Sequence, residues 1–231
     1  MNQVGILVHG RHVEAVDWEK LMWGCPPERY GSLTRLVLEI LMQNPKNIKQ
    51  IVFGSGASER DGVKEAECMK RYLIENMSRI DEFPEIAKHL AIMDQVSALI
   101  KNIHCDVVSQ NTAEEIENAA TKFAEASCTR IFEITCASHA SRCTALMNFM
   151  VEKGTIPSDQ FWYTVSDRMT YAGSTMNDVV VFEPPHIPRD RRLSIKQPAE
   201  VFRQIFQVPP EKRGDYLEEA DRLLKRHIGS S

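Results

Sequence analysis

The segment Ile51-Val52-Phe53-Gly54-Ser55-Gly56-Ala57-Ser58 joins a short apolar run to a loop of small residues, and a helix-like stretch follows it. The same pattern recurs at residues 106–112 (DVVSQNT) and at residues 131–139 (IFEITCASH). Strands that are buried on both faces of a parallel sheet have continuous apolar sequences, and connecting helices alternate with them. The repeated pattern therefore predicts an α/β fold whose strands end in polar loops at one edge of the sheet.

Other segments extend this alternation of strands and helices. Apolar and aromatic runs predict further strands at residues 4–8 (VGILV), 161–165 (FWYTV) and 178–182 (DVVVF). The expected fold is a Rossmann-like parallel sheet of about five or six strands with helices on both faces, in a domain spanning residues 1–190. Residues 191–231 are predicted to form a C-terminal helical extension on the same domain. The predicted helices span residues 32–42, 63–77, 112–126, 138–152, 198–207 and 210–228, with one or two more between residues 84 and 103.

The composition and charge of the chain argue against a nucleic-acid partner and against a membrane protein. The chain has 231 residues, a net charge of −4 and a pI near 6.0, which gives no reason to expect a nucleic-acid partner. No basic amphipathic face indicates binding to a membrane surface, and no apolar window approaches the ~20 residues of a membrane span. The N-terminal residues lack the pattern of a signal peptide. We therefore expect a cytoplasmic protein that does not bind membranes.

The six cysteines and the histidines do not have the spacing of a metal site. No Cys-x-x-Cys pair occurs, and the dispersed cysteines predict buried free thiols in a reducing compartment. Cys136 also has the alternative of a nucleophilic thiol, because it lies at a strand end beside His139. No structural zinc is predicted. A Mg²⁺ ion held mostly by a substrate phosphate and one carboxylate stays an open alternative, because such a site leaves little trace in a sequence.

The loop Gly54-Ser55-Gly56 is the first candidate ligand site. Glycines let the main chain turn sharply and let an anion approach its N–H groups, and a helix begins soon after. The loop matches neither the Walker A pattern nor G-x-G-x-x-G, so an ordinary glycine-rich turn is the alternative. Glu65, early in the next helix, could accept from a ribose hydroxyl, hold a metal or act as a base. Its alternative role is to complement the helix dipole.

Two more strand-end loops carry polar side chains. The loop that follows the apolar run ending at Val108 offers Ser109, Asn111 and Thr112 as ligand contacts, although Asn111 or Thr112 is also a suitable helix cap. Glu114 follows in the first turn of that helix and is a further candidate ligand contact, at a position where a carboxylate also suits the helix dipole. His9, Gly10 and Arg11 follow the first strand and are expected beside the same cleft. Gly10 and Arg11 are candidate ligand contacts, and Arg11 is a candidate anion ligand.

The most specific local signal is the sequence Ser138-His139-Ala140-Ser141-Arg142. His139 and Arg142 are three residues apart at the start of a helix, so they share one face of it. A guanidinium can clamp a phosphate or carboxylate, and an imidazole can donate to it or carry a proton. Ser138, His139 and Arg142 therefore predict the centre of an anion site.

Taken together in order, these segments resemble the DUF218 family, the YdcF/SanA/ElyC-like proteins. The order and approximate spacing agree from residue 4 to about residue 182, although Ala57 stands where the family has the second glycine of Ser-Gly-Gly. Many members carry a membrane anchor, and this chain shows none, so the resemblance is to a soluble member. It implies a Rossmann-like fold and, for one branch, binding of S-adenosylmethionine. The corresponding stretches are Gly10-Arg11, Gly54-Ser55-Gly56, Glu65-Ala66, Ser109 to Glu114 and Thr135 to Arg142.

Two functions follow as hypotheses. The first is an enzyme that hydrolyses or transfers a phosphoester or pyrophosphate group of a phosphorylated or nucleotide-like small molecule. In it, Arg11, residues 54–58 and Arg142 bind the anion, His139 transfers a proton and Glu65 orients a hydroxyl, a water or a metal. The second is a binding module or transferase for S-adenosylmethionine or a nucleotide, contacted by Asn111 and Glu65. The expected partner is a small anionic ligand, and the C-terminal helices either cover the sheet or form a homodimer.

Overall fold

The computed structural model describes residues 3–171, which build a five-stranded parallel sheet. The strands are β1 (Val4–Val8), β2 (Ile48–Gly54), β3 (His104–Asp106), β4 (Arg130–Thr135) and β5 (Phe161–Ser166). Their spatial order is β3-β2-β1-β4-β5, and every neighbouring pair is parallel. The predicted α/β class with a Rossmann-like parallel sheet is confirmed. The predicted strand at 178–182, the helices at 198–207 and 210–228 and the whole extension over 191–231 lie outside the described residues.

Helices cover both faces of the sheet. The segment predicted as a helix at residues 63–77 begins its helix at Glu65, because residues 63–64 pair with residues 59–60 in a short antiparallel ribbon. No helix within residues 3–171 has the length and apolar character needed to cross a membrane. The helices are α1 (Trp18–Trp23), α2 (Ser32–Met42), α3 (Glu65–Asn76), α4 (Pro84–Ala87), α5 (Met93–Lys101), α6 (Thr112–Glu125) and α7 (Ala137–Glu152).

Alternate residues of the central strands face opposite sides of the sheet. Ile6 of β1 and Phe132 and Ile134 of β4 belong to the core on the side of α2 and α3. Leu7 of β1 and Ile131 of β4 belong to the core on the side of α6 and α7. Since side chains alternate along a strand, Glu133 lies on the α6 and α7 side, although it is charged and fully buried. The core between the sheet and α7 therefore contains a buried carboxylate.

The strand order reverses at β1. From β1 the chain runs outward through β2 and β3 on one side, and β4 and β5 lie on the other side. In open α/β sheets the connections leave in opposite directions at such a reversal, and ligands bind in the crevice outside the strand ends. Residues from His9 follow β1 and residues from Cys136 follow β4. The crevice between β1 and β4 is therefore the place where the fold favours a site.

Candidate functional site

His139 and Arg142, at the start of α7, contact each other. Nε2 of His139 lies 2.7 Å from Nη2 of Arg142, and Nη2 also donates to Oγ1 of Thr112 at 2.6 Å. A guanidinium has donors only, so Nε2 of His139 is the nitrogen that lacks a proton. Nδ1 then carries the proton and donates it to Oγ1 of Thr135 at 2.9 Å. His139 is therefore a neutral imidazole that presents its basic nitrogen beside a fixed positive charge.

The neighbouring Ser138 completes this part of the site. Its side chain is buried, and its Oγ lies 3.3 Å from Sγ of Cys136, the residue at the N-cap of α7. The structure thus brings together the predicted residues Thr112, Ser138, His139 and Arg142. They come from the ends of β3 and β4, which the chain places on opposite sides of β1.

His9, the first residue after β1, lies in a buried ionic cluster next to His139. Nδ1 of His9 contacts Oε2 of Glu115, and Nε2 lies 2.8 Å from Oε1 of Glu133. Burial by itself lowers the pKa of His9, but the carboxylates of Glu115 and Glu133, which contact its two ring nitrogens, raise the pKa well above its ordinary value. His9 is therefore an imidazolium that donates from both nitrogens.

Two more observations define the surroundings of His9. Burial raises the pKa of the Cys143 thiol to about 11, which keeps this thiol protonated at neutral pH. The ring of His9 meets the ring of His139 edge to face, with their centroids 5.7 Å apart. A cationic histidine and a neutral histidine therefore lie side by side at the β1–β4 edge.

The glycine loop after β2 is shaped by contacts within the protein. A Cβ atom on Gly54 would lie 2.7 Å from Cδ of Glu115, and a Cβ atom on Gly56 would overlap the carbonyl oxygen of Val107. The N–H of Gly56 donates to the carbonyl of Ser109 at 3.0 Å, and Oγ of Ser55 accepts from the N–H of Ala57 at 3.0 Å. The two glycines therefore let α6 and the β3 loop approach, and these two N–H groups are used inside the protein.

Glu65 is buried, and protein donors occupy its carboxylate. Burial raises the pKa of Glu65, and the hydrogen bonds to the carboxylate oppose that rise. Its oxygens accept from the loop that follows β1. Because these protein donors occupy the carboxylate, Glu65 fits a role in holding this loop better than the predicted direct contact with a ligand. The four donors are N of Arg11 at 2.6 Å, N of His12 at 3.0 Å, Nε1 of Trp18 at 2.9 Å and Oγ of Ser58 at 2.7 Å.

Gly10 has a clear reason to lack a side chain. A Cβ atom on Gly10 would lie 2.6 Å from Oε2 of Glu65, so any larger residue would push the carboxylate away from its donors. Gly10 and Glu65 therefore act together to fix the turn between β1 and α1. The sequence predicts Gly10 after the first strand and Glu65 early in a helix, as the structure has them, and the structure adds the close approach of the two residues.

Arg11 is buried against the end of β5. Its Nη2 pairs with Oδ2 of Asp167, its Nε donates to Oγ of Ser32 at 3.2 Å, and the Tyr171 ring lies 5.3 Å from its guanidinium carbon. Burial by itself lowers the pKa of Arg11, but Asp167 raises the pKa above its ordinary value. The contacts within residues 3–171 therefore tie Arg11 to β5 and α2 rather than to His139 and Arg142.

The other predicted residues of the β3 loop stabilise that loop. Oδ1 of Asn111 accepts from the N–H of Glu114 at 3.0 Å, so Asn111 is the N-cap of α6. The carboxylate of Glu114 accepts from Nδ2 of Asn111 at 2.7 Å and from the N–H of Gln110 at 2.7 Å. Ser109 bonds to Asp106. Thr112 is the residue of this loop that reaches the His139 group.

Three buried residues of the site were not predicted as site residues: Glu115, Glu133 and Cys143. Glu133 leaves a signal in the sequence, because a charged residue interrupts the apolar run Ile131-Phe132-Glu133-Ile134. Cys143 follows His139 by four residues on the same helix, a spacing that puts both on one face. Glu115 leaves no comparable signal, because its partner His9 lies far away in the chain.

Comparison of the chain with family models, with curated proteins and with solved structures finds no match. The resemblance to the DUF218 family therefore stays a prediction from the ordered segments. The argument for a function rests on the residues that the fold brings together at the β1–β4 edge.

Proposed function

We propose that this protein is an enzyme that acts on a phosphorylated or nucleotide-like small molecule, by hydrolysis or group transfer, at the β1–β4 edge of the sheet. The observation that carries the proposal is the contact of Arg142 with both His139 and Thr112 in the first turns of α7 and α6. It lies where the strand order reverses, and helix N-termini favour anions.

Arg142 supplies the positive charge for the anion. Its orientation is fixed, because Nη2 donates to Thr112 at 2.6 Å and to His139 at 2.7 Å. A guanidinium held in this way can meet a phosphoryl group without paying the full cost of ordering its own side chain. It can also stabilise the charge that develops on the phosphoryl oxygens in the transition state.

His139 supplies the base. Its Nε2 lacks a proton and stands next to Arg142, while Thr135 holds the proton on Nδ1. In hydrolysis, Nη2 of Arg142 moves from Nε2 of His139 to a phosphoryl oxygen, which frees the Nε2 lone pair. Nε2 then takes a proton from the attacking water, the water oxygen bonds to phosphorus, and the leaving oxygen departs with its electron pair. In group transfer, the hydroxyl of an acceptor takes the place of the water.

Glu65 and Arg11 have supporting places in this proposal. Glu65 accepts four hydrogen bonds from the loop after β1, and Arg11 pairs with Asp167. Both therefore hold the walls of the crevice in position. The proposal differs here from the hypothesis drawn from sequence, which gave Glu65 and Arg11 direct contact with the substrate.

The alternative is a module or transferase that binds S-adenosylmethionine or a nucleotide without hydrolysing it. Its expected contacts, Asn111 and Glu65, use their side-chain oxygens to cap α6 and to hold the β1 loop. These residues therefore fit the cofactor less well than Thr112, His139 and Arg142 fit a phosphate. The same experiment separates the two functions.

The test is a panel of phosphoesters and pyrophosphates, assayed with and without Mg²⁺, on the parent protein and three variants. His139→Ala removes the base, which is expected to lower kcat by about 10²- to 10⁴-fold. Arg142→Lys keeps the charge but loses the planar donor pair, so kcat/KM falls. Ser141→Ala changes an exposed residue between them on α7 and leaves turnover at the parent level.

Thermal unfolding of the protein in the presence of S-adenosylmethionine, S-adenosylhomocysteine and ATP tests the alternative function, because a bound ligand raises the unfolding temperature. Turnover that depends on His139 and Arg142 supports the enzyme. Stabilisation by S-adenosylmethionine without turnover of any phosphoester selects the alternative. Turnover that is the same in the parent and in His139→Ala would contradict the proposed role of His139.

A further inference from the structure

The ionic cluster around His9 contains three side chains with the atoms of a metal site. A ring nitrogen of His9, a carboxylate oxygen of Glu133 and Sγ of Cys143 all lie within 4.8 Å of one another, and all three side chains are buried. Bonds of about 2.0–2.3 Å to a tetrahedral zinc ion put its ligand atoms roughly 3.4–3.8 Å apart. Nε2 of His9 and Oε1 of Glu133 lie 2.8 Å apart, which is closer than two ligands of a zinc ion, and all three ligand atoms lie within 4.8 Å of one another. Shifts of about 1 Å would therefore bring the three atoms to the spacing of zinc ligands.

The outer hydrogen bonds of the cluster are those that metal ligands usually make. The nitrogen of His9 that faces Glu133 is Nε2, and the opposite nitrogen, Nδ1, contacts the carboxylate of Glu115. A metal-bound histidine commonly donates its other N–H to a carboxylate, which fixes its ring. The second oxygen of Glu133, Oε2, accepts from Oγ1 of Thr164 at 2.9 Å. Two of the three candidate ligands thus have an oriented outer partner.

The charge of the cluster is compatible with a divalent cation. Glu115 and Glu133 are both buried, and within residues 3–171 His9 is the basic side chain that forms an ion pair with either of them. Two carboxylates therefore share one imidazolium. A divalent ion that displaces the Nε2 proton of His9 and the Sγ proton of Cys143 leaves the net charge of the cluster unchanged, so its binding adds no uncompensated charge to the core.

We infer that His9, Glu133 and Cys143 form a binding site for a divalent transition-metal ion of the zinc class. The donor set of imidazole, carboxylate and thiolate suits Zn²⁺ or Co²⁺ and does not suit Mg²⁺ or Ca²⁺, which prefer oxygen ligands. Binding releases the Nε2 proton of His9 and the Sγ proton of Cys143. Three protein ligands leave a fourth position for water or substrate, as in catalytic zinc sites. The sequence contains no metal-binding motif that predicts these three ligands, because they come from three separate elements.

Co²⁺ is the probe for this site, because a cysteine thiolate bound to Co²⁺ gives a charge-transfer absorption in the near ultraviolet. The metal-stripped full chain is titrated with Co²⁺, and Zn²⁺ affinity is measured by competition with a chelator. We expect one equivalent of metal and the charge-transfer band in the parent. Cys143→Ser abolishes the band, whereas Cys128→Ser, at a buried cysteine in the core beneath α6, keeps it. Glu115→Gln, which weakens the outer contact to His9, lowers Zn²⁺ affinity by about 10- to 100-fold.

X-ray absorption of the zinc-loaded parent covers the case in which Cys143→Ser does not fold. A single sulfur neighbour at about 2.3 Å supports the site, and a zinc shell without sulfur overturns it. Failure of the parent to bind one equivalent of Co²⁺ or Zn²⁺ also overturns it, as does an unchanged band in folded Cys143→Ser. These readouts measure the metal directly, so their outcome does not depend on the proposed phosphoester chemistry.

Discussion

Arg11 and Asp167 form an ion pair in which the two side chains are only 1% and 0% exposed. Arg11 follows the central strand β1, and Asp167 follows β5, which is the outermost strand on its side of the sheet within residues 3–171. Oγ of Ser32, the first residue of α2, donates to Oδ2 of Asp167 at 2.7 Å and accepts from Nε of Arg11 at 3.2 Å. One buried group therefore joins the centre of the sheet, its edge and a covering helix.

Removal of Asp167 is expected to destabilise the fold strongly. Asp167→Ala leaves the guanidinium of Arg11 buried without its counter-charge, so the free energy of unfolding falls by about 3–5 kcal/mol. Glu19→Ala is the control, because it breaks the Glu19–Arg60 pair, whose side chains are 49% and 38% exposed, and costs about 1 kcal/mol or less. Urea unfolding of both variants measures the difference. Equal losses would show that the Arg11–Asp167 pair is not the strong contact described here.

Glu65→Gln is expected to destabilise the loop after β1. All four groups that contact the carboxylate are donors, so the amide NH₂ of glutamine would face at least one N–H that loses its acceptor. The free energy of unfolding falls by about 2–3 kcal/mol. Glu67→Gln, at an exposed position two residues along α3, is the matched control and changes the free energy of unfolding by less than about 0.5 kcal/mol. A Glu65→Gln variant as stable as Glu67→Gln would refute this role.

Nitrogen NMR can check the tautomer of His139 directly. The parent is expected to show a protonated Nδ1 and an unprotonated Nε2 for His139, because Arg142 can only donate to Nε2. Thr135→Val removes the acceptor of the Nδ1 proton and lowers the free energy of unfolding by about 1–3 kcal/mol. Thr121→Val, at an exposed position of α6, leaves the His139 signals in place. An Nε2–H tautomer in the parent would contradict the assigned geometry.

Alkaline pH is expected to destabilise the protein through Cys128. Burial raises the pKa of this thiol from 9.0 to about 11, so the unfolded chain loses the proton first. The stabilisation is complete below about pH 9 and is lost as the pH rises to about 11. Cys143 titrates in the same range, so the measurement is the difference in unfolding free energy between the parent and Cys128→Ala. The free energy of unfolding of the parent should fall relative to that of Cys128→Ala between about pH 9 and pH 11. A difference that stays constant over this interval would refute the prediction.

Local pattern was sufficient to predict the five strands within residues 3–171, a cap of α6 at Asn111 or Thr112, and the placement of His139 and Arg142 on one helix face. It was not sufficient for the contacts that cross the sheet. The partners of His9 are Glu115 on α6 and Glu133 in β4, and they meet only because β1 lies between β2 and β4. Hydropathy predicts that strands exist, but it does not state their spatial order. The sequence therefore assigns Glu65 and Arg11 to a ligand. In the structure four protein donors occupy the carboxylate of Glu65, and Arg11 pairs with Asp167 while its Nη1 is buried without a hydrogen-bond partner within residues 3–171.

The central place of β1 has a consequence for synthesis of the chain. Val4–Val8 leaves the ribosome before its two neighbours, β2 and β4, which begin at Ile48 and Arg130. Until the second neighbour emerges, an apolar strand keeps at least one edge open for pairing with another chain. Nascent chains that stop before residue 130 are therefore expected to be the aggregation-prone species and the natural clients of chaperones, rather than the completed protein.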